Sequence, residues 1–331
     1  MINKTRGSDR QPFAGLTPEV VLDAAAAFGL NPDGRLFALN SYENRVYQLG
    51  AGERQLVLKF YRPARWSDEQ IAEEHEFAAE LAAAELQVAA PLSIDGATLL
   101  RYRDFRFSAF PWMQGRPPEL DEPEARQILG RSIARLHQVG AVHHFRSRPR
   151  IGVERFGWQA RAQVLASDLL PEALRESYSS VSGALLERIT ARFAAHPWHE
   201  IRLHGDCQLG NLLWNERGPV FVDLDDCAMG VRVQDLWMMF SGPPAEQRRE
   251  WGELLEGYRL FADFDFTEVT LIEPLRALRM LHYAAWVVQR WDDPAFPRAF
   301  PWFGEARYWE GYLGDLLEQV ATIDEPPLLS G

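Results

Sequence analysis

The chain has 331 residues, 47% hydrophobic and 25% charged, so it can bury a substantial core without covalent staples and reads as one large domain or two lobes. Its net charge of -12 and isoelectric point near 5.2 set it against nucleic acid and anionic membrane surfaces, both of which need a basic face. Two cysteines, Cys207 and Cys227, are too few for a disulfide framework or a zinc site; no apolar run is long enough to span a bilayer and Met1 to Phe13 lacks an apolar signal core, so the expected compartment is the cytoplasm.

Thr17 caps a short helix from Pro18 to Phe28 that stops at Gly29. Three extended stretches follow, Arg35 to Asn40, Arg45 to Leu49 and Gln55 to Tyr61. Ser41-Tyr42-Glu43-Asn44 and Gly50-Ala51-Gly52-Glu53 join them into a meander. The third strand holds Lys59. Only two of the 35 Lys and Arg residues are lysines, and the other is Lys4. An amine in the apolar run Leu56-Val57-Leu58-Lys59-Phe60 needs an edge position or a partner. In a chain that otherwise uses arginine, it suits a site wanting a compact point charge that bonds phosphates and a carboxylate together.

That carboxylate is expected on the next element. Ser67-Asp68-Glu69-Gln70 has the form of a capping box opening a helix that runs to about Glu85. Ile71, Glu74, Phe77 or Ala78, and Leu81 recur on its inward stripe. Glu74 is therefore the expected partner of Lys59, and a frame shift of one residue would favour Glu73. Strands from Ala97 to Tyr102 and Phe105 to Phe110 complete a five-stranded sheet with one helix. Phe110-Pro111-Trp112-Met113-Gln114-Gly115 then leaves the sheet.

From Pro123 the pattern is helical: Ala125 to Gln138, with His137 read as structural, then segments around Trp158 to Leu165, Pro171 to Tyr178 and Val181 to Phe193. The stretch from Ile201 to Asp226 carries the chemistry. It contains His204-x-Asp206-x4-Asn211, with Asp223 placed 12 residues after Asn211 at the end of the apolar run Val220-Phe221-Val222. Phosphoryl transfer needs this set, because a carboxylate must orient and deprotonate the attacking hydroxyl while an Asn and a second Asp hold magnesium. Asp206 is the expected base, and Asn211 and Asp223 the metal ligands. The interval from Asp206 to Asn211 equals that of the kinase catalytic loop, with Gly205 where protein kinases carry Arg. Either half alone reads as a turn or a solvated strand end; the combination around one buried strand is what points to a site. A hairpin is expected to turn at Gly218-Pro219. Asp235, in Val233-Gln234-Asp235-Leu236-Trp237, either supports the loop or caps a helix. Tyr283, Trp286, Trp291 and Trp302, beside Asp292 and Asp293, read first as core and second as a box for a cationic substrate.

Taken together, Leu39 to Tyr47, Lys59-Phe60-Tyr61-Arg62-Pro63, Glu73-Glu74-His75, His204-Gly205-Asp206-x4-Asn211, Phe221 to Asp226, Gln234-Asp235-Leu236-Trp237 and Pro294-Ala295-Phe296-Pro297 resemble the aminoglycoside phosphotransferase and choline kinase type of enzyme. The likeness is closer still to the bacterial stress response kinase A group of Ser/Thr protein kinases. The resemblance implies an α+β, bilobed, protein-kinase-like fold. Residues 1–111 would form an N-lobe with the five-stranded antiparallel sheet and its helix, and residues 112–331 a mainly helical C-lobe with catalytic loop, metal site and acceptor-binding helices. It also implies ATP and Mg2+, with Asp206 and Asp223 catalytic, Asn211 and Asp223 on the metal, and Ser41, Lys59 and Glu74 serving the nucleotide. The acceptor would be a Ser or Thr hydroxyl of a protein in a stress response, the enzyme itself included, or else a small alcohol of aminoglycoside, choline or homoserine type. No nucleic acid or membrane partner is expected, and the enzyme would be a monomer.

Two departures stand out. Gln208 replaces a usual second His, which bears on how the loop is braced, and no G-x-G-x-x-G lies over the phosphates, so Ser41, Tyr42 and backbone amides take that role. A dehalogenase-type phosphatase built on Asp223-Leu224-Asp225-Asp226 would want a downstream lysine, and none follows Lys59. A Walker-type hydrolase lacks its motif. A non-catalytic nucleotide-binding regulator would have lost a member of the set Lys59, Asp206, Asn211 and Asp223, all of which are present.

Overall fold

The computed structural model describes residues 12–329. Helix α1 (Pro18–Ala27) starts where the Thr17 hydroxyl accepts from the Val20 amide. Strands β1 (Leu36–Leu39), β2 (Arg45–Ala51) and β3 (Arg54–Phe60) form the expected meander. The second turn is tighter than Gly50 to Glu53. Ala51 pairs with Arg54, because Gly52 at φ +65° lets two residues reverse the chain. Helix α2 (Asp68–Ala83) carries the full capping box, with Gln70 and Ser67 exchanging side-chain to backbone bonds at 2.9 and 3.2 Å.

Strands β4 (Leu100–Tyr102) and β5 (Phe105–Pro111) complete an antiparallel sheet of order β1-β2-β3-β5-β4. β4 begins later than expected, since Ala97 instead pairs with Ile94 in a bridge of its own. One face of the sheet is sealed by α1, with Val21 and Ala25 packed among Leu49, Leu58, Phe60 and Phe107. α2 sends Phe77 and Leu81 into a separate cluster shared with Leu129, Ile133, Phe221 and Leu224. It thereby fastens the sheet to the helical part.

That part comprises α3 (Pro123–Gly140), a π turn (Glu154–Gln159), α4 (Ala160–Leu165) and α5 (Glu172–Ala194). α5 fuses two segments that the sequence reading kept apart. The Ser182 hydroxyl bonds back to the Tyr178 carbonyl, and Tyr178, Ser182, Leu185 and Ile189 all bury on one stripe, so packing outweighs the weak helix preference of the serines.

Next come β6 (Ile201–Leu203), β7 (Leu212–Asn215), β8 (Gly218–Phe221) and β9 (Ala228–Gly230), pairing as β6 with β9 and β7 with β8. Glu216-Arg217 makes the β7–β8 turn, not Gly218-Pro219. Asn215 pairs with Gly218, and its side-chain oxygen takes the Arg217 amide at 2.9 Å, an Asx arrangement that fixes the register.

Helices α6 (Gln234–Trp237), α7 (Pro244–Tyr258), α8 (Ile272–Gln289), α9 (Ala295–Ala299) and α10 (Ala306–Thr322) complete the chain. Among the described residues, no helix is long and apolar enough to cross a membrane.

Candidate active site

A cavity of about 1230 Å³ lies between the sheet and the helical part, and Ser41, Lys59, Asp206, Asn211 and Asp223 all line it. Glu74 lies just behind Lys59. β3 is flanked by β2 and β5, so Lys59 sits opposite Val46 and Ser108 in the middle of the sheet. An edge position is thereby excluded. The residue is 6% exposed, and its ammonium lies 2.7 Å from Asp225, 3.2 Å from Glu74 and 3.4 Å from Asp223. Desolvation pulls against the charge, but Asp225 first, then Glu74 and Asp223, hold the amine well above the ordinary lysine pKa. Glu73 points elsewhere: its carboxylate accepts the backbone amides of Arg146, Ser147 and Arg148 at 2.6, 3.0 and 2.8 Å. The helix frame thus brings Glu74, not its neighbour, to Lys59.

Asp225 is the residue the sequence reading missed. It is 2% exposed and gathers Lys59, the Arg65 guanidinium and, at 3.2 Å, the Asn44 amide. Burial would raise its pKa, but Arg65 and Lys59 hold the carboxyl well below the usual range. Glu74 goes the other way, because burial outweighs Lys59 and pushes its pKa up. The signal was present: an Asp two residues past Asp223, after an apolar strand, is either exposed or in need of a buried cation. Nothing local said which.

The loop after β6 is held from behind by Asp235, whose two oxygens accept the amides of His204 at 2.8 Å and Gly205 at 2.9 Å. His137 braces Asp235 at 3.3 Å and in turn meets the Tyr258 hydroxyl at 2.9 Å. Asp235 therefore supports the loop; α6 has no side-chain cap. The His204 ring, fully buried, bonds the Val222 carbonyl at 3.0 Å and ties the loop to the strand before Asp223.

Gly205 stands at φ +86°, and a Cβ there would lie 2.2 Å from the Asp226 carbonyl oxygen. This explains why no arginine follows the His. Gly205→Ala is expected to cost at least about 2 kcal/mol from left-handed strain and the clash together, read as a lowered thermal midpoint.

The Asp206 carboxylate receives Arg279 at 2.6 Å on one oxygen, and Gln208 at 2.8 Å and Asn211 at 2.9 Å on the other. Gln208 was expected to matter only for bracing the loop, yet it bonds this carboxylate directly. Arg279 arrives from α8 and gave no signal in a chain crowded with arginine. The Asn211 amide nitrogen also bonds the Asp206 carbonyl at 2.9 Å, which leaves the Asn211 side-chain oxygen without a hydrogen-bond donor among the described residues.

Asp223, at φ +58°, turns out of the strand with its side chain 56% exposed. The Val222 amide bonds the Asn211 carbonyl at 3.1 Å and keeps the two neighbouring side chains together. Two hard oxygen donors opening on one cavity fit Mg2+, which takes the rest of its shell from water and phosphate.

Ser41 lies in the β1–β2 loop, which is latched to the helical part. The buried Glu43 accepts Trp286 at 2.7 Å and Arg290 at 2.5 and 2.9 Å, and the Tyr42 ring packs on Phe300 at 5.3 Å. Trp286, Trp291 and Trp302 pack against Phe296, Phe303 and Tyr308, and Asp293 is taken by Arg62 at 2.7 Å. Trp291 and Trp302 are therefore packing, whereas Tyr283 and Trp286 also line the cavity. At the exit from the sheet the Trp112 amide is spent on the Gln55 carbonyl, while Met113 lines the cavity.

Cys207 and Cys227 are both fully buried; burial raises both thiols, Cys227 to about 12. Neither is expected to react with a water-soluble alkylating reagent in the native protein, and both should react in denaturant, as counted by intact mass.

A model of the phosphotransferase enzyme family matches residues 36–272. Stress response kinase A of Escherichia coli strain K12 is 43% identical over 321 residues, covering 96% of this chain and 96% of its own. A protein of Salmonella typhimurium named Serine/threonine protein kinase RdoA is 43% identical over 317 residues, again 96% of each chain. Among solved structures, amicoumacin kinase hAmiN in complex with AMP-PNP, Ca2+ and Ami aligns with a TM-score of 0.72 at 18% identity over 94% of both chains. The microcompartment-associated aminopropanol kinase aligns at 0.66 and 19% identity, over 92% of this chain and 96% of its own. These two likenesses show a shared fold, the bilobed protein-kinase-like one. With a family match over most of its length and 43% identity to a stress response kinase A over 96% of the chain, the protein belongs to the phosphotransferase enzyme family.

Proposed function

We propose that the protein is an ATP- and Mg2+-dependent kinase that phosphorylates Ser or Thr hydroxyls of proteins in a stress response. The observation that carries this reading is the convergence of Lys59, Asp206, Asn211 and Asp223 on one cavity, although the amine and the three others lie in distant parts of the sequence. The names of the relatives, a stress response kinase and a Ser/Thr protein kinase, support the acceptor class. The nucleotide analogue and divalent ion in the amicoumacin kinase structure support ATP with a metal.

In this reading Lys59, fixed by Glu74 and Asp225, bonds the nucleotide phosphates, and the loop through Ser41 and Tyr42 covers them. Backbone groups near Met113 meet the adenine edge. Asn211 and Asp223 hold Mg2+, which when bound neutralises charge on the phosphates. Asp206 orients the acceptor hydroxyl and takes its proton. Residues up to 111 form the nucleotide-covering lobe and those from 112 the acceptor-binding lobe. The enzyme works as a monomer in the cytoplasm, where ATP is supplied, and modifies itself among other acceptors.

Labelled ATP offered in parallel to generic proteins, to the enzyme alone, and to amino sugars, choline and homoserine tests the acceptor. Label on protein Ser or Thr is the expected result; label only on a small alcohol would defeat the protein-kinase reading and spare the phosphotransferase. Asp223→Ala is expected to weaken magnesium and activity together. The metal concentration at half-maximal rate should rise by at least the 10–100-fold, roughly, that loss of an outer partner of a metal ligand costs.

A further inference from the structure

The cavity is lined by one lysine and five arginines against five carboxylates. The chain has a net charge of -12, yet the carboxylates lining the cavity are committed. Glu43 is bonded by Arg290, Asp225 by Lys59 and Arg65, and Asp226 by Arg65. Asp206 is bonded by Arg279, and Asp223 faces Lys59 and the proposed metal position. Two guanidinium groups keep donors in hand. Arg279 spends one nitrogen on Asp206, and its side chain is 43% exposed. Arg155 is exposed, lines the cavity, and has no ion-pair partner among the described residues.

Arg155 stands on the π turn Glu154–Gln159, a backbone feature that recurs at functional sites. Its guanidinium lies 5.2 Å from the Trp66 ring, against which Arg65 and Arg148 also pack at 5.1 and 4.5 Å. Desolvation, together with Arg65, Arg148 and Arg290, pushes the Arg155 pKa below the usual arginine value, with Asp226 opposing. The π turn lies beside α8, the Phe156 ring being 4.2 Å from that of His282, so Arg155 and Arg279 face one cavity from adjoining elements. Surplus cations in a walled cleft attract an anion and repel an amine.

We propose that the acceptor presents an anionic group, a carboxylate or a phosphate, to Arg155 and Arg279, and that in protein acceptors the modified Ser or Thr is flanked by acidic residues. The second clause rests on the Ser/Thr reading above; the first does not. As the anion engages Arg279, that guanidinium is drawn off Asp206 and frees the carboxylate oxygen for the acceptor hydroxyl. The acceptor oxygen then bonds to the γ-phosphorus, the bond from that phosphorus to the β-bridging oxygen breaks, ADP leaves, and the hydroxyl proton passes to Asp206. An amino alcohol offers nothing to draw Arg279 away.

The test compares the full-length enzyme with Arg155→Glu and Arg155→Gln on matched Ser peptides flanked by Asp and Glu, by neutral residues, or by Lys and Arg. A sugar phosphate and an amino sugar serve as small-alcohol arms. The wild type is expected to favour the acidic over the basic peptide by at least about tenfold in kcat/KM, equivalent to about 1.4 kcal/mol. Arg155→Gln should narrow that preference and Arg155→Glu abolish or invert it, with native melting behaviour in both. A wild-type preference for basic peptides would overturn the proposal. So would unchanged peptide selectivity with a raised KM for ATP, which would assign Arg155 to the nucleotide phosphates. Label on the sugar phosphate and on no peptide would sink the Ser/Thr reading while upholding the anion site; label on the amino sugar alone would sink both.

Discussion

Asp206→Ala is expected to lower phosphoryl transfer by about 10²- to 10⁴-fold, the range that a positioned general base supplies, while ATP still binds. Three donors converge on this carboxylate, at 2.6 to 2.9 Å, and orient it before any acceptor arrives. Removing it should not dislodge the proposed metal ligand, because the Asn211 amide keeps its bond to the residue-206 carbonyl. The nucleotide contacts proposed for Lys59 and the Ser41 loop are likewise left in place. Stability should change little: Arg279 is 43% exposed, and a solvated ion pair contributes about 0–1 kcal/mol. Initial rates and nucleotide titration on the same preparation check both halves of the expectation. Near wild-type turnover in Asp206→Ala would remove the base assignment, and a rate loss matched by lost ATP affinity would move Asp206 to nucleotide binding. Asp206→Asn separates charge from shape; it keeps a side chain for Asn211 and Gln208 to meet but cannot take a proton.

Asp225→Ala should produce the largest loss of stability, about 3–5 kcal/mol, because it takes the nearest counter-charge from two enclosed cations at once. Lys59 and Arg65 are both nearly enclosed, at 8% and 11% side-chain exposure, and both pair with this carboxylate. Asp226→Ala is the control. Its side chain is 51% exposed and it pairs with Arg65 alone among the described residues, so the expected loss is within about 1 kcal/mol. Urea unfolding of the pair of variants gives the comparison directly, and equal losses would contradict the enclosed cluster described above. The pH dependence has a definite sign. The Asp225 pKa is depressed in the folded state, so the stability it contributes is complete above the ordinary carboxylate range and is lost as the pH falls through and below it. Glu74 has a raised pKa and opposes this slope. The Asp225→Ala variant should therefore lose part of the acid sensitivity of the wild type.

The sequence by itself determined the elements and the spacing of the site. Capping at Thr17 and Ser67, the inward stripe of α2 and the alternation of the strands are local properties, and short-range sterics and hydrogen bonding decide them before any long-range contact forms. The interval between Asp206 and Asn211 and the position of Asp223 after an apolar run were legible for the same reason, as was the one lysine in a core strand. Only the tertiary structure decided which charges meet. Arg65 and Asp225 are 160 residues apart, Arg279 and Asp206 are 73 apart, and Arg290 and Glu43 are 247 apart. Among so many arginines nothing local marks these three, because an ion pair is selected by where packing brings its partners and by how much water that packing removes. The β7–β8 turn and the unbroken α5 belong with them: each is fixed by register or burial against another part of the chain, which overrode the preference of the residues concerned.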